Sequence, residues 1–452
     1  MASQPQAKKA NPKSKLNQRS TTPLHIYVAG GSDIRETGLG GEFRDVEPDV
    51  VTTEGAVSVP VRQPRLNLED NAIVQISVGQ KHTAALTQKG TVLTWGSNDF
   101  YALGRDTPSV GHEGWPEAVQ ALVNLKLEIV QVAATDHATF ALTSNGRVYG
   151  WGTFMSDDGV IGFLKDLIEH KTKVDPDELI AKIPTPIPGL KDIKELATGS
   201  NHILALTRTG NVYAWGSGHH GELGRRLVYR HQFESLTPRT ISLPKNQIVR
   251  IFAGFYHNFA VDKKGRVWAW GLNNFCQAGV PAEVEEGGTD NLHISHPVQV
   301  QTLEGVQIRH MAGGLHHSIA CAEDGRILVW GRCDDSQMGA SLERVKDNFL
   351  LKDERGVPRI LMMPLEIPGL KAQFVAAGTD NCFAVDPDGK IYAWGFSDNF
   401  RTGLGTEDSV KEPTLVSTEG LSKLSAKLVV TRGPFTFFAG VPAEVDVASE
   451  DD

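Results

Sequence analysis

Apolar and polar positions along this chain fall into short pairs of runs. Residues 84–96 (AALTQKGTVLTWG) and 204–216 (LALTRTGNVYAWG) each give an apolar run, a polar turn with a glycine, and a second run rich in β-branched and aromatic residues. Runs of this kind predict antiparallel strand pairs. Gly90 and Gly210 supply the left-handed backbone that a tight turn requires. No run approaches the roughly 18 apolar residues of a membrane-spanning helix, so no membrane contact is expected.

The pairs are copies of one unit: Gly-x-x-His, an apolar strand, a Gly turn, Val-aromatic-x-Trp-Gly, then Leu-Gly. The first clear copy runs through Gly79, His82, Gly90, Trp95, Gly96, Leu103 and Gly104. Six Trp-Gly pairs (Trp95, Trp151, Trp215, Trp270, Trp330 and Trp394) mark six complete units. Their spacing of roughly 60 residues exceeds the ~40–45 of WD repeats. The spacing from the His position to the Trp is constant, with Asn381 replacing His in one copy and Ala138 in another. The tryptophans are expected to fill space between neighbouring units.

The two ends supply halves of a seventh unit. Near the start, Ala29-Gly30 takes the Trp-Gly place and Leu39-Gly40 the Leu-Gly place. Near the end, Gly433 and Thr436 take the Gly and His places. Pairing the termini completes the unit and removes the exposed sheet edges. The expected architecture is therefore all-β, a seven-bladed β-propeller over residues 21–440, with a disordered basic arm (1–20) and an acidic disordered tail (441–452). Two insertions, 163–186 and 341–363, are expected as surface loops, the first part-helical.

Composition refines this picture. Residues 1–20 hold five basic residues and no acid, so a formal net charge of −9 leaves −14 on the remainder. A basic arm on an acidic body suits two partners of opposite charge. The arm has no apolar core of a secretory signal. Cys276, Cys321, Cys333 and Cys382 show no metal-ligand spacing and read as core thiols of a reducing compartment. No nucleophile triad order, H-E-x-x-H or phosphate-binding loop motif is present, so neither a metal nor a cofactor is expected.

The unit, its seven copies and the terminal closure resemble the regulator-of-chromosome-condensation repeat family, over roughly residues 25–440. The resemblance implies a guanine nucleotide exchange factor for the small nuclear GTPase Ran: a GTPase regulator without covalent chemistry, monomeric, in the nucleus and on chromatin. The stretch after Trp151 is similar to the family's β-wedge, which assigns Phe154, Ser156, Asp157, Asp158, Gly159 and Val160 to the GTPase. Asp136 falls at an aspartate important for exchange, and His316 and His317 at an important histidine. Of these two, His317 is also the repeat histidine and His316 the additional one. Asn201 and Asp380 lie in loops of the same kind and would face the GTPase too. Lys8, Lys9, Lys13 and Lys15 resemble an arm for a nuclear import receptor and for the DNA and histones of chromatin. Arg225 and Arg226 sit where the family has a loop that docks on histones.

Other readings of the same chain are a binding-only scaffold, for example in a ubiquitin pathway, a channel enzyme, a nucleic-acid binder acting through the arm, and a tryptophan-based light sensor. The first lacks a reason to keep the wedge. The second lacks a catalytic motif. For the fourth, only Trp268 and Trp270 lie close together.

Overall fold

A computed structural model describes residues 17–31, 33, 35–39, 51, 55–167, 175–227, 229–281 and 293–443. The lysines of the arm, Gly40 and most of the acidic tail lie outside these residues. Seven antiparallel sheets form a ring. Blade 1 comprises Ile73–Val78, His82–Thr87, Val92–Gly96 and Glu117–Ala118, in that order from the axis outward. Blades 2 to 6 repeat the pattern, with first strands at Ile129–Ala134, Ile193–Thr198, Ile248–Ala253, Ile308–Gly313 and Phe374–Ala377. Blade 7 joins the two ends: Leu424–Thr431 and Phe435–Pro442 pair with His25–Gly30, which pairs with Val57–Arg62. The first strands of successive blades touch all round the channel, and those of blades 7 and 1 close it.

The second strand of blade 1 is buried throughout, as are those of blades 2 to 6. The six repeat tryptophans are completely buried. The indole N–H of Trp151 donates to Ala102 O (2.8 Å), and Trp270, Trp330 and Trp394 donate to Glu222, Gln277 and Gln337 O of the preceding blade. The repeat histidines make the second set of blade-to-blade links. His82 Nε2 lies 2.8 Å from Thr139 Oγ1, His202 Nε2 2.7 Å from Asn258 Oδ1, and His257 Nε2 2.7 Å from Ser318 Oγ. Glycine precedes each of these histidines because a Cβ at Gly199, for example, would lie 2.0 Å from the His202 ring. Burial holds His82 and His257 neutral, with pKa values lowered to about 3.

A third set of links was invisible in the sequence. In blades 1 to 5 the third residue of the first strand reaches the next first strand and bonds its backbone. Gln75 both donates to Val132 O and accepts from Val132 N–H, and Gln131 treats Leu196 in the same way. Glu195, Arg250 and His310 continue the series, Arg250 donating to Ile308 O at 3.0 Å. These bonds serve peptide groups that the sheet ladder leaves at its inner edge.

Two details of the sequence reading are corrected. The Leu-Gly position of the seventh unit is Thr37-Gly38, because it is Gly38 whose added Cβ would strike the Trp95 indole, at 2.7 Å. In blade 6 the position is Thr402-Gly403, one residue after Arg401, whose carbonyl accepts from Thr436. A local Leu-Gly two residues downstream imitated the motif in both places. The described part of the 163–186 insertion contains two short 3₁₀ turns and then the outer strand of blade 2, Ala181–Pro186. The 341–363 insertion adds a fifth strand, Leu350–Lys352, to blade 5. All four cysteines are buried.

The meander places two sets of loops on one face, those after the first and those after the third strand of each blade. The Gly turns occupy the other face, where the N-terminal segment is strapped. There Asn17 N–H donates to Ser144 O (2.8 Å) and Arg19 Nε to Gln88 O (2.7 Å). The described residues thus begin at Asn17, inside the expected arm.

Candidate functional site

Between the third and fourth strands of blade 2 stands a hairpin, the one separate two-stranded sheet among the described residues. Phe154–Ser156 pairs antiparallel with Gly159–Gly162. Asp157 and Asp158 form its exposed tip, and Gly159, at φ 114°, takes the left-handed turn position. Phe154 is not part of the tip. It is completely buried at the hairpin base, its ring stacked 5.9 Å from both Phe140 and Phe163. Trp215 meets Phe140 edge-on at 5.9 Å. Because the hairpin replaces the short loop whose carbonyl receives the indole in other blades, Trp215 Nε1 has no hydrogen-bond partner among the described residues. Ser156 and Val160 are half-buried on the shaft. The expected wedge is therefore an aromatic anchor carrying an acidic tip.

The hairpin leans over a cavity of about 360 Å³ at the channel mouth. Met155, Ser156 and Asp157 line it together with Asp136, His137, Asn201, His220 and Tyr256. Asn201 Oδ1 accepts from Met155 N–H (3.2 Å) and lies 3.3 Å from His137 Nδ1, so it ties the hairpin to blade 3. His220 carries the tip. Its Nε2 lies 3.7 Å from Asp157 Oδ2, and its Nδ1 3.3 Å from Oε1 of the buried Glu222. The Glu222 carboxylate raises the imidazole's pKa against the effect of burial. Sequence reading missed His220, Tyr256 and Met155, since none departs from what a surface loop allows.

Asp136 is nearly buried, with 9% of its side chain exposed, and burial pushes its carboxyl pKa up while Arg432 opposes the shift. Its Oδ1 lies 3.4 Å from Arg432 Nη1. Asn201 and Asp380 directly precede the repeat His or Asn, as His316 does. Asp136 stands one residue earlier in its loop, so the grouping of Asn201 and Asp380 with it holds for the face and not for the position.

His316 and Asp380 belong to a neighbouring cluster. The His316 ring lies 4.6 Å from that of Phe275, and burial lowers its pKa, with Asp380 opposing. Asp380 is buried, accepting from Gln337 Nε2 at 3.0 Å, and lies 3.6 Å from Arg332 Nη1. His317 does not reach this surface. It is wholly buried, its Nε2 3.2 Å from Cys382 Sγ of blade 6, and its pKa falls to about 4. It is a blade-linking histidine like His202 and His257, and its assignment to the exchange site is corrected accordingly.

The arginine pair divides in the same way. Arg225 Nη1 donates to Ala214 O at 2.8 Å, and burial lowers its pKa to about 10. Arg105 holds the equivalent carbonyl of blade 1, Thr94 O, at 3.2 Å. Arg225 therefore serves its own blade, while Arg226 is exposed. Among the described residues no cluster of His, Cys, Asp and Glu is arranged to hold a metal ion.

Comparison with known proteins agrees with the fold. The model of the RCC1-like domain matches residues 25–437. Protein pim1 of Schizosaccharomyces pombe is 38% identical over 95% of this chain and 76% of its own length. Guanine nucleotide exchange factor SRM1 of Saccharomyces cerevisiae is 32% identical over 93% and 88%. Among solved structures, Prp20p of Saccharomyces cerevisiae, characterised for its binding to Gsp1p and histones, superposes with a TM-score of 0.83. It shares 33% identity, over 94% of this chain and 93% of that one. With the motif, the closed seven-bladed ring and the family match in agreement over nearly its whole length, the chain belongs to the RCC1-like family.

Proposed function

We propose that this protein is a guanine nucleotide exchange factor for the nuclear GTPase Ran. One observation carries the reading: the acidic hairpin overhangs a cavity whose wall includes Asp136. A Ras-like GTPase retains GDP because phosphate, magnesium and the P-loop hold one another in place. A partner that binds the nucleotide-free form best promotes release, and by linkage it is displaced as GTP enters. Asp157 and Asp158 at the tip would disturb the phosphate and magnesium region. Asp136 and, from the adjoining cluster, His316 and Asp380 would hold basic side chains of the GTPase. Asn201 keeps the hairpin upright. The acidic body favours encounter with a positive surface. Exchange needs no nucleophile and no cofactor from this chain.

The place of action follows from the charge. The lysine-bearing arm precedes Asn17, which is held on the face opposite the hairpin, so the GTPase and whatever the arm binds need not compete for one surface. Lys8, Lys9, Lys13 and Lys15 would bind DNA phosphates or an import receptor, and Arg226 an acidic histone surface. This reading puts a monomer on chromatin in the nucleus. The test is release of a fluorescent GDP from purified Ran by catalytic amounts of the full chain. Acceleration that is lost in an Asp157→Ala/Asp158→Ala variant of unchanged stability supports the reading. No acceleration by folded protein leaves a propeller that only binds.

A further inference from the structure

The channel mouth holds a charged residue that the repeat does not explain. Arg432 directly precedes Gly433, where the other blades have Val78, Ala134, Thr198, Ala253, Gly313 and Ala377. Its side chain is 9% exposed. From blade 7 it reaches three other blades: Nη1 lies 3.4 Å from Asp136 Oδ1 of blade 2, Nη2 donates to Thr198 O of blade 3 at 2.9 Å, and the guanidinium stands 4.9 Å from the Phe255 ring of blade 4. Asp136 is equally exceptional. Its position holds Gln80, Ser200, Phe255, Leu315, Thr379 and Pro434 in the other loops. Two charges, each without a counterpart in the repeat, thus meet across the channel from opposite parts of the chain.

We infer that Arg432 is a positioning residue for Asp136, fixing its carboxylate as an anion at the rim of the cavity beneath the hairpin. The inference rests on the exchange reading above. A guanidinium anchored to a carbonyl on one side and over an aromatic ring on the other has little freedom to follow the carboxylate away. The carboxylate is therefore offered to the cavity in one place. Ring closure places Arg432, so pairing of the two termini also assembles the site.

The other titratable groups around the pair are His137 in the same loop, His82 of blade 1, His202 of blade 3 and Tyr256 of blade 4. Burial lowers the pKa values of His82 and His202, so both are neutral near pH 7. Arg432 is the main group opposing the upward push of burial on Asp136. Without it, Asp136 takes up a proton at a higher pH.

The test is GDP release from Ran by the full chain, from about pH 6 to about pH 8.5, with Arg432→Gln, Arg432→Lys, Asp136→Asn and the double variant Asp136→Asn/Arg432→Gln. Arg432→Gln is expected to slow release about tenfold at neutral pH and to regain rate as pH rises. Arg432→Lys should keep most of the rate, and the double variant should be no slower than Asp136→Asn. Urea midpoints show which variants fold. If Arg432→Gln does not, a profile of Arg432→Lys shifted upward by less than one pH unit supports the inference, and an unshifted one overturns it. Arg432→Gln that folds with the wild-type rate and profile, beside a slow Asp136→Asn, overturns the inference and leaves the exchange reading standing. So does a slow Arg432→Gln with an unshifted profile, which marks a purely structural arginine. A wild-type rate in Asp136→Asn removes Asp136 from the exchange reading, and the role of Arg432 with it.

Discussion

Glu195→Gln should make this protein more stable, and more so at higher pH. In the row of side chains that join the first strands of blades 1 to 6, Gln75 and Gln131 each use both ends of the amide. A carboxylate in the same place can accept from Ile251 N–H but has no proton to return. Burial raises the Glu195 pKa from 4.5 to about 7, against the pull of Lys194 and Arg250. Below the unfolded value both states hold the proton and nothing is lost. Between there and about 7 the unfolded chain ionises first, so stability falls as pH rises, and above it the loss is complete. At 1.36 kcal/mol per unit the shift corresponds to at most about 3 kcal/mol. Screening at a partly solvated channel wall reduces this to about 1–2 kcal/mol. Buried histidines such as His82 and His257 titrate in the opposite sense, so the quantity to follow is the difference between variant and wild type. Urea unfolding read by the buried tryptophans, at about pH 8 and pH 5.5, gives that difference. The variant should be ahead by about 1–2 kcal/mol at the higher pH, and by less than half as much at the lower. A gap independent of pH, or a destabilised variant at pH 8, refutes the reasoning.

Two further outcomes follow from departures within the repeat. Trp215→Phe should cost about 1 kcal/mol less than Trp151→Phe in urea unfolding, because only Trp151 loses an indole hydrogen bond. Arg225→Ala should cost about 1–3 kcal/mol by leaving a buried carbonyl without its donor, whereas Arg226→Ala should change stability by less than about 0.5 kcal/mol. Nucleosome binding measured on the same pair should then weaken for Arg226→Ala while stability holds.

How much was legible in the sequence depended on whether a residue obeys the repeat. The blades, the tryptophan packing and the closure by the two ends were readable because each rests on a spacing that recurs. Where a local Leu-Gly imitated the motif, at Leu39-Gly40 and Leu404-Gly405, only the contact of Gly38 with Trp95 and of Arg401 with Thr436 revealed the true position. The burial of Phe154 and the binding of Arg225 to its own blade were also hidden, since a loop sequence does not say which of its side chains turn inward.

The same logic gives a better rule for the site. A propeller unit fixes the loop beside its repeat histidine by packing alone, and most of these positions hold small, apolar or uncharged polar residues. A charge there costs desolvation, so it persists only where something compensates it. Aligning the seven loops isolates Asp136 at one position and Arg432 two positions earlier. Neither is unusual when the chain is read in order, because 296 residues separate them. Only the closed ring brings them within 3.4 Å. The departures from the repeat, taken blade against blade, thus mark the surface that the repeat itself was not needed to build.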